Sequence, residues 1–329
     1  MIFIVLVLTL ILSFGITSFL IKHKDKINLH AHTNHRTIHK NITPNSGGIA
    51  IILSFFIGLF FSGFDVGWEI IISLVLIFIV GLYDDYFSSS AKQKAFFLFL
   101  VVNVLFFNDF KLEYLGTYLG HEITVDGVSA YIFLVFALVG FINAVNLIDG
   151  IDGLASTIGI IILASYLYIG IKWEDDFLIY IPSIYIASIL GYLYFNWSPA
   201  KIFMGDNGSL SLGLIIAIVA IYAVNQHYLS PVTTLMLAAL PMLDTFIVMS
   251  RRVLSGKSPF LADKLHIHHI ILRQQKNDTK RTVLILGLLQ LICSYIGLGF
   301  KIRDDILILG LFGMIFILFY MFLNPKKRG

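Results

Sequence analysis

Residues 141–157 read FINAVNLIDGIDGLAST: two aspartates, Asp149 and Asp152, each followed by glycine, set where one long apolar run ends and the next begins. Apolar runs of this kind continue outward to both ends of the chain. Of its 329 residues, 58% are hydrophobic and only 13% charged, and the mean hydropathy is +0.88. A soluble domain carries roughly twice that charged share, so a soluble fold is excluded. A helix needs about 20 apolar residues to cross the hydrocarbon. Eleven runs reach or approach that length: 1–21, 47–63, 69–83, 94–107, 130–147, 153–171, 178–196, 208–225, 231–250, 281–299 and 304–323. The expected fold is all-α, a polytopic membrane protein with eleven transmembrane helices. No long polar segment interrupts them, so residues 1–329 are expected to form a single membrane-embedded domain. The one cysteine, Cys293, lies inside an apolar run, which leaves no disulfide framework and no thiolate metal site.

Lysine and arginine set the orientation. The first run lacks the basic leader and small-residue cleavage site of a signal peptide and is followed by IKHKDK, so it reads as an uncleaved span with its N-terminus outside. Carried through eleven spans, this topology puts 19 of the 23 basic residues in cytoplasmic segments and leaves Lys111, Lys172, Lys301 and Arg303 outside. Basic residues are retained on the cytoplasmic side, and the C-terminal NPKKRG is expected there too. The segments GLYDDYFSSSAKQK (81–94), NLIDGIDG (146–153), NWSPAKIFMGDNGS (196–209) and SRRVLSGKSPFLADKLHIHH (250–269) then share one compartment. They bring Asp84, Asp85, Asp149, Asp152, Asp206, Asp263 and a histidine cluster to helix ends, where water and headgroups reach them. Carboxylates at the bilayer centre mark ion pathways. This placement suits a site at the inner membrane surface.

Each motif has a chemistry and a plainer alternative. Adjacent Asp84 and Asp85 repel, so one holds a proton unless a cation stands close, either a divalent metal or a lysine such as Lys92 or Lys94. A lone acidic pair at a helix end is most often a solvated terminus, and the lysines would serve equally as membrane anchors. Asn143, Asn146, Asp149 and Asp152 follow three residues apart, so a continued helix would set successive members near one face. Gly150 and Gly153 would let a bound group approach closely. Hard oxygen donors of this kind suit magnesium and a nucleotide rather than zinc. Asp206 precedes the turn signal Asn207-Gly208, with Ser209 opening the next span. A helix start offers free N–H groups to a phosphate, and Asp206 would add a magnesium ligand there; otherwise it is a simple cap. His266, His268 and His269 stand near Arg251, Arg252, Lys257 and Lys264. With no HExxH pattern and no fourth ligand, anion binding is more economical than zinc. The basic stretch 23–40 is chiefly an anchor to acidic headgroups, and TPNSGG (43–48) hints at a site loop.

In chain order, RTIHKNITPNSGG, GLYDD, NAVNLIDGIDGLA, IFMGDNGSLSLG and SPFLADKLHIHH resemble the polyprenyl-phosphate N-acetylhexosamine-1-phosphate transferases over residues 36–273. The His-Ile-His-His form and the count of eleven spans resemble the GlcNAc-1-phosphate branch. The resemblance implies transfer of a sugar 1-phosphate from a UDP-N-acetylhexosamine to undecaprenyl phosphate in the inner leaflet, with release of UMP and a requirement for Mg2+, which Mn2+ can replace. It implies a multi-pass protein of the cytoplasmic membrane with its active site on the cytoplasmic face, surrounded by membrane lipids, with no nucleic-acid partner. Some relatives are dimers, so a homodimer is open. Residue by residue, Asp206 matches the magnesium ligand and Asn146 a second contact. Asp149 and Asp152 match positions near the uridine and the metal, and Asp84 and Asp85 match the catalytic pair. Lys94 matches a diphosphate contact that Lys92 could also make, and His266, His268 and His269 match the histidine motif. Asn143 and Arg251 are expected substrate contacts. Lys264 stands where many relatives have arginine, and a lysine lacks the bidentate fork.

The implied mechanism has the lipid phosphate attack the β-phosphorus, with one of Asp84 and Asp85 as base or nucleophile. A phospho-N-acetylmuramoyl-pentapeptide transferase-like enzyme is the near alternative. A secondary transporter would need midplane ionisable groups and inverted repeats, which the sequence lacks. A membrane metalloprotease would need HExxH, and a CDP-alcohol phosphotransferase would continue its DG motif to Ala-Arg, whereas this chain reads DGIDGLAST.

Overall fold

A computed structural model describes residues 2–27, 43–87, 89–258, 266–300 and 305–322. In order they form α1 (Ile2–Lys22), α2 (Lys24–Ile27), α3 (Gly47–Ser62), α4 (Trp68–Phe87), α5 (Ala91–Phe106), β1 (Tyr114–Tyr118), β2 (His121–Thr124), α6 (Gly127–Ile148), α7 (Leu154–Trp173), α8 (Asp176–Asn196), α9 (Gly205–Asn225), α10 (Pro231–Leu237), α11 (Ala239–Leu254), α12 (Ile267–Gln274), α13 (Thr279–Gly299) and α14 (Asp305–Phe322). Among the described residues eight helices are long and apolar enough to cross a membrane, and α10 with α11 makes a ninth candidate. The runs expected at 47–63 and 94–107 form the shorter α3 and α5, of 16 residues each. The chain is a helical, multi-pass membrane protein, as lipid requires of a backbone that must satisfy its own hydrogen bonds.

One element departs from the all-α expectation. The loop between α5 and α6 folds as the antiparallel hairpin β1–β2, held to the start of α14 because Thr117 N–H donates to the buried Asp305 carboxylate at 2.6 Å.

Several helix starts carry their own caps. Ser90 and Gln93 form a capping box on α5, Asp175 accepts from Leu178 N–H on α8, and Asp278 accepts from Arg281 N–H on α13. The central helix, α9, is nearly all buried and packs against α3, α4, α6, α7 and α8. Its start is so crowded that a Cβ on Gly48 would lie 1.9 Å from Asn207 Oδ1 and 2.2 Å from Gly208 N. Only glycine lets α3 touch it there.

The span at 231–250 is broken. α10 and α11 meet at 91° around Ala238, which frees backbone groups inside the bundle. Gln290, fully buried on α13, meets them: its Oε1 accepts from Leu240 N–H at 2.9 Å and its Nε2 donates to Leu237 O at 2.7 Å. One side-chain amide thus replaces a missing peptide group. Gln290→Leu should cost about 1–3 kcal/mol for each group left unpaired, read as a lower thermal unfolding midpoint in detergent micelles. An unchanged midpoint would mean the bend needs no such partner.

Candidate active site

The end of α4, the start of α5, the end of α6 and the start of α9 meet at one end of the bundle. Asp84 pairs with Lys94 Nζ at 2.6 Å and accepts from Ser89 N–H at 2.7 Å. The same Lys94 ammonium also pairs with Asp206 Oδ2. Asn146 Nδ2 donates to Asp206 Oδ1 at 3.1 Å and to Ser209 Oγ at 2.7 Å. The cation required beside the acidic pair is therefore Lys94, while Lys92 is exposed.

Asp85 has a different environment. It is buried and surrounded by donors: Asn45 Nδ2 at 2.6 Å and Asp206 N–H at 3.0 Å on Oδ1, with Asn207 N–H at 3.0 Å and the Asn207 side-chain amide on Oδ2. The carboxylate of α4 thereby caps α9 from a neighbouring helix. Two N–H groups expected to meet a phosphate at this helix start are taken by Asp85 instead. The loop 43–48 supplies Asn45 because it is laced to 203–204: Phe203 N–H donates to Pro44 O, Gly47 N–H to Phe203 O and Gly48 N–H to Met204 O, each at 2.9 Å.

The helical face expected through 143–152 stops early. α6 ends at Ile148 with Asp149 as its C-cap, and Gly153 is left-handed at φ 77°, because the two glycines favour a turn over a fourth helical repeat. Asn143 turns its amide back to Val139 O at 2.7 Å within its own helix. Asp152 accepts from Ala200 N–H at 3.0 Å. Asn196 ties the turn to the next loop, accepting from Gly153 N–H at 3.0 Å and donating to Ile202 O at 2.9 Å. Between these segments lies a cavity of about 370 Å³, lined by Asn45, Asn146, Asp149, Asp152, Phe203 and Asp206 among others.

The Asp149 carboxylate faces that cavity with no hydrogen-bond partner among the described residues. Burial, together with the carboxylates of Asp206, Asp85 and Asp152, pushes it up from 3.8 to about 7. The folded protein thus keeps a proton that the unfolded chain gives up near pH 4. The stability tied to Asp149 is full below its unfolded value and is lost as pH rises toward 7. Relative to Asp149→Asn, the metal-free parent should lose unfolding temperature between about pH 4 and pH 8. A difference that stays flat with pH would show an ordinary carboxylate.

The histidine motif reaches the same region through Asp244, a buried carboxylate of α11. His266 Nδ1 stands 3.0 Å from its Oδ2 and Ile267 N–H donates to Oδ1 at 2.6 Å. His268 is buried against the 149–153 turn: a Cβ on Gly150 would lie 2.1 Å from His268 Nε2. Burial, then the neighbouring His268 and His266, push His269 down to about 4. Arg251 is buried in the last turn of α11. Lys264, Asp263, the stretch 28–42 and the C-terminal tail lie outside the described residues.

Among the described residues no three histidine, cysteine, aspartate or glutamate side chains form a ready cage for a metal. Magnesium does not need one, since it usually keeps waters and binds through one or two carboxylates plus substrate phosphates. Asp206, with Asp84 and the Asn146 amide beside it, is a donor set of that kind.

Sequence reasoning passed over Asn45, Asn196 and Asp244 as site residues. Asp244 carried a signal: it is the one carboxylate within the apolar run 231–250, where an ionisable group marks function.

Residues 68–224 match glycosyl transferase family 4. The protein named probable undecaprenyl-phosphate N-acetylglucosaminyl 1-phosphate transferase of Bacillus subtilis (strain 168) is 30% identical over 301 residues, 90% of this chain and 83% of its own. The undecaprenyl-phosphate alpha-N-acetylglucosaminyl 1-phosphate transferase of Escherichia coli (strain K12) is 33% identical over 278 residues, 79% and 73%. The protein of the same name from Haemophilus influenzae is 29% identical over 304 residues, 87% and 84%.

Proposed function

We propose, from the premise that this chain belongs to the polyprenyl-phosphate N-acetylhexosamine-1-phosphate transferases of glycosyl transferase family 4, that it moves GlcNAc 1-phosphate from UDP-GlcNAc to undecaprenyl phosphate. The products are a lipid-diphosphate-linked sugar and UMP, and the step initiates a cell-envelope polysaccharide. The observation that carries this reading is the meeting of Asp84, Lys94, Asn146 and Asp206, from four helices, beside a cavity large enough for part of a nucleotide sugar. The chain is a single membrane domain of eleven spans in the cytoplasmic membrane, N-terminus outside and C-terminus inside. Its site opens on the cytoplasmic face, where a water-borne nucleotide meets a lipid phosphate held at the inner leaflet.

Two anions must react, so charge is managed first. Asp206 and Asn146 would hold Mg2+, which supplies charge neutralisation of the diphosphate when bound with substrate. Asp149 and Asp152, on the turn after α6, bind the nucleoside end of the donor. Lys94 and the histidine motif hold diphosphate oxygens. An oxygen of the lipid phosphate attacks the β-phosphorus, the bond to the bridging oxygen breaks, and UMP leaves. Asp84 orients that oxygen or takes its proton, because its carboxylate stands at the rim beside Lys94, whereas both oxygens of Asp85 are filled by donors. Positioning and fixed charge supply most of the rate.

The test is purified protein with undecaprenyl phosphate and a panel of UDP-sugars, scored by UMP release. UDP-GlcNAc should be turned over fastest. Release from UDP-N-acetylmuramoyl-pentapeptide alone, or flux of substrate across proteoliposomes without product, would replace this assignment.

A further inference from the structure

The broken span aims a carboxylate at the histidine motif. Asp244 is 1% exposed, and a charge this deep is costly unless its oxygens are met. Oδ1 is met by Ile267 N–H at 2.6 Å, the first residue of α12. Oδ2 faces two imidazoles, His266 Nδ1 at 3.0 Å and His268 Nδ1 at 3.6 Å. The rings are nearly parallel, 16° apart with centroids at 5.5 Å. Both therefore turn the same nitrogen to one oxygen, and both Nε2 edges point away from it. For His268 that edge lies on Gly150, in the turn that carries Asp149 and Asp152.

We infer that Asp244 is a positioning residue: its hydrogen bond holds His266 in the Nδ1–H form, and its charge, 3.6 Å from His268 Nδ1, keeps the Nε2 edge of that neighbouring ring on the 149–153 side of the site. Which nitrogen carries the proton is set by the hydrogen bond the other one makes, so a carboxylate on Nδ1 fixes Nε2 as the working atom. A mere anchor for α12 would need only Oδ1; the second oxygen is spent on His266 and stands beside His268. The bend pinned by Gln290 sets the direction in which α11 carries this carboxylate. The inference rests on reading the histidine motif as part of the phosphotransfer site.

Asp244→Asn in the full-length enzyme separates these roles. The amide keeps the volume, and its carbonyl can still accept from Ile267 N–H. Its NH2 then faces His266 Nδ1 and favours the opposite tautomer, the effect known from carboxylate-to-amide changes beside a functional histidine. Turnover should fall ~10–100-fold, with the KM for UDP-GlcNAc within about threefold and the unfolding midpoint near the parent's. In a His266→Gln, His268→Gln background the same change should cost almost nothing further. Parental turnover in Asp244→Asn, with His266→Gln or His268→Gln inactive, would overturn the positioning role and leave the histidine motif in the site. Parental turnover in both histidine variants would remove the motif from the site, and the inference with it. Should Asp244→Asn fail to accumulate, nitrogen-15 NMR of histidine-labelled parent decides: Nδ1 protonated in His266 supports the role, and Nδ1 unprotonated there sinks it.

Discussion

Asp206→Asn is expected to leave roughly a thousandth of parental turnover at ordinary magnesium. The carboxylate sits in the first turn of α9 with Lys94 on one oxygen and Asn146 on the other. Both neighbours are donors, so an amide places an NH2 against one of them and removes the negative charge that balances Lys94. The loss also takes away the anionic ligand around which a divalent cation would be held. Folding should suffer less than activity, because Lys94 remains paired to Asp84. UMP release measured against magnesium concentration reads the effect. Partial recovery at high magnesium would mark a weakened ion site, whereas parental turnover would take Asp206 out of the reaction. Chelation of the parent should produce the same silence, reversed by magnesium or manganese, and activity persisting in chelator would contradict a metal role for this group.

The spans were legible because lipid leaves the backbone few choices: an apolar run near 20 residues long must be helical, and the runs read at 1–21, 130–147 and 178–196 are α1, α6 and α8 to within a few residues. The convergence of Asp84, Asn146 and Asp206 was also legible, since these residues sit at alternating helix ends that a bundle brings together. What one dimension hid is how the carboxylates divide their work. Asp84 and Asp85 are neighbours in sequence but lie 100° apart around a helix, so one meets Lys94 and the other the start of α9. The break at Ala238 was hidden for a similar reason. It depends on Gln290, some fifty residues away, to meet the freed backbone groups. The β1–β2 hairpin likewise depends on Asp305, whose partner Thr117 is 188 residues distant.

That division of labour yields the second large effect. Asp84→Asn should cut turnover by about a thousandfold while leaving the unfolding midpoint near the parent's, since its partners Lys94 and Ser89 are at the rim and can turn to water or to Asp206. Asp85→Asn should lose both. Each oxygen of Asp85 receives two donors, so whichever way the new amide turns, its NH2 opposes two N–H groups in a buried place. One such group left unpaired costs about 1–3 kcal/mol, and the start of α9, with Asp206 on it, would shift. Turnover should therefore fall at least about a hundredfold, with the KM for UDP-GlcNAc moving far less. Thermal unfolding and steady-state kinetics on the two variants give a two-by-two outcome. If Asp85→Asn kept full stability, its role as a cap borrowed by α9 would be wrong; if Asp84→Asn kept full turnover, the reacting oxygen would have to be sought elsewhere.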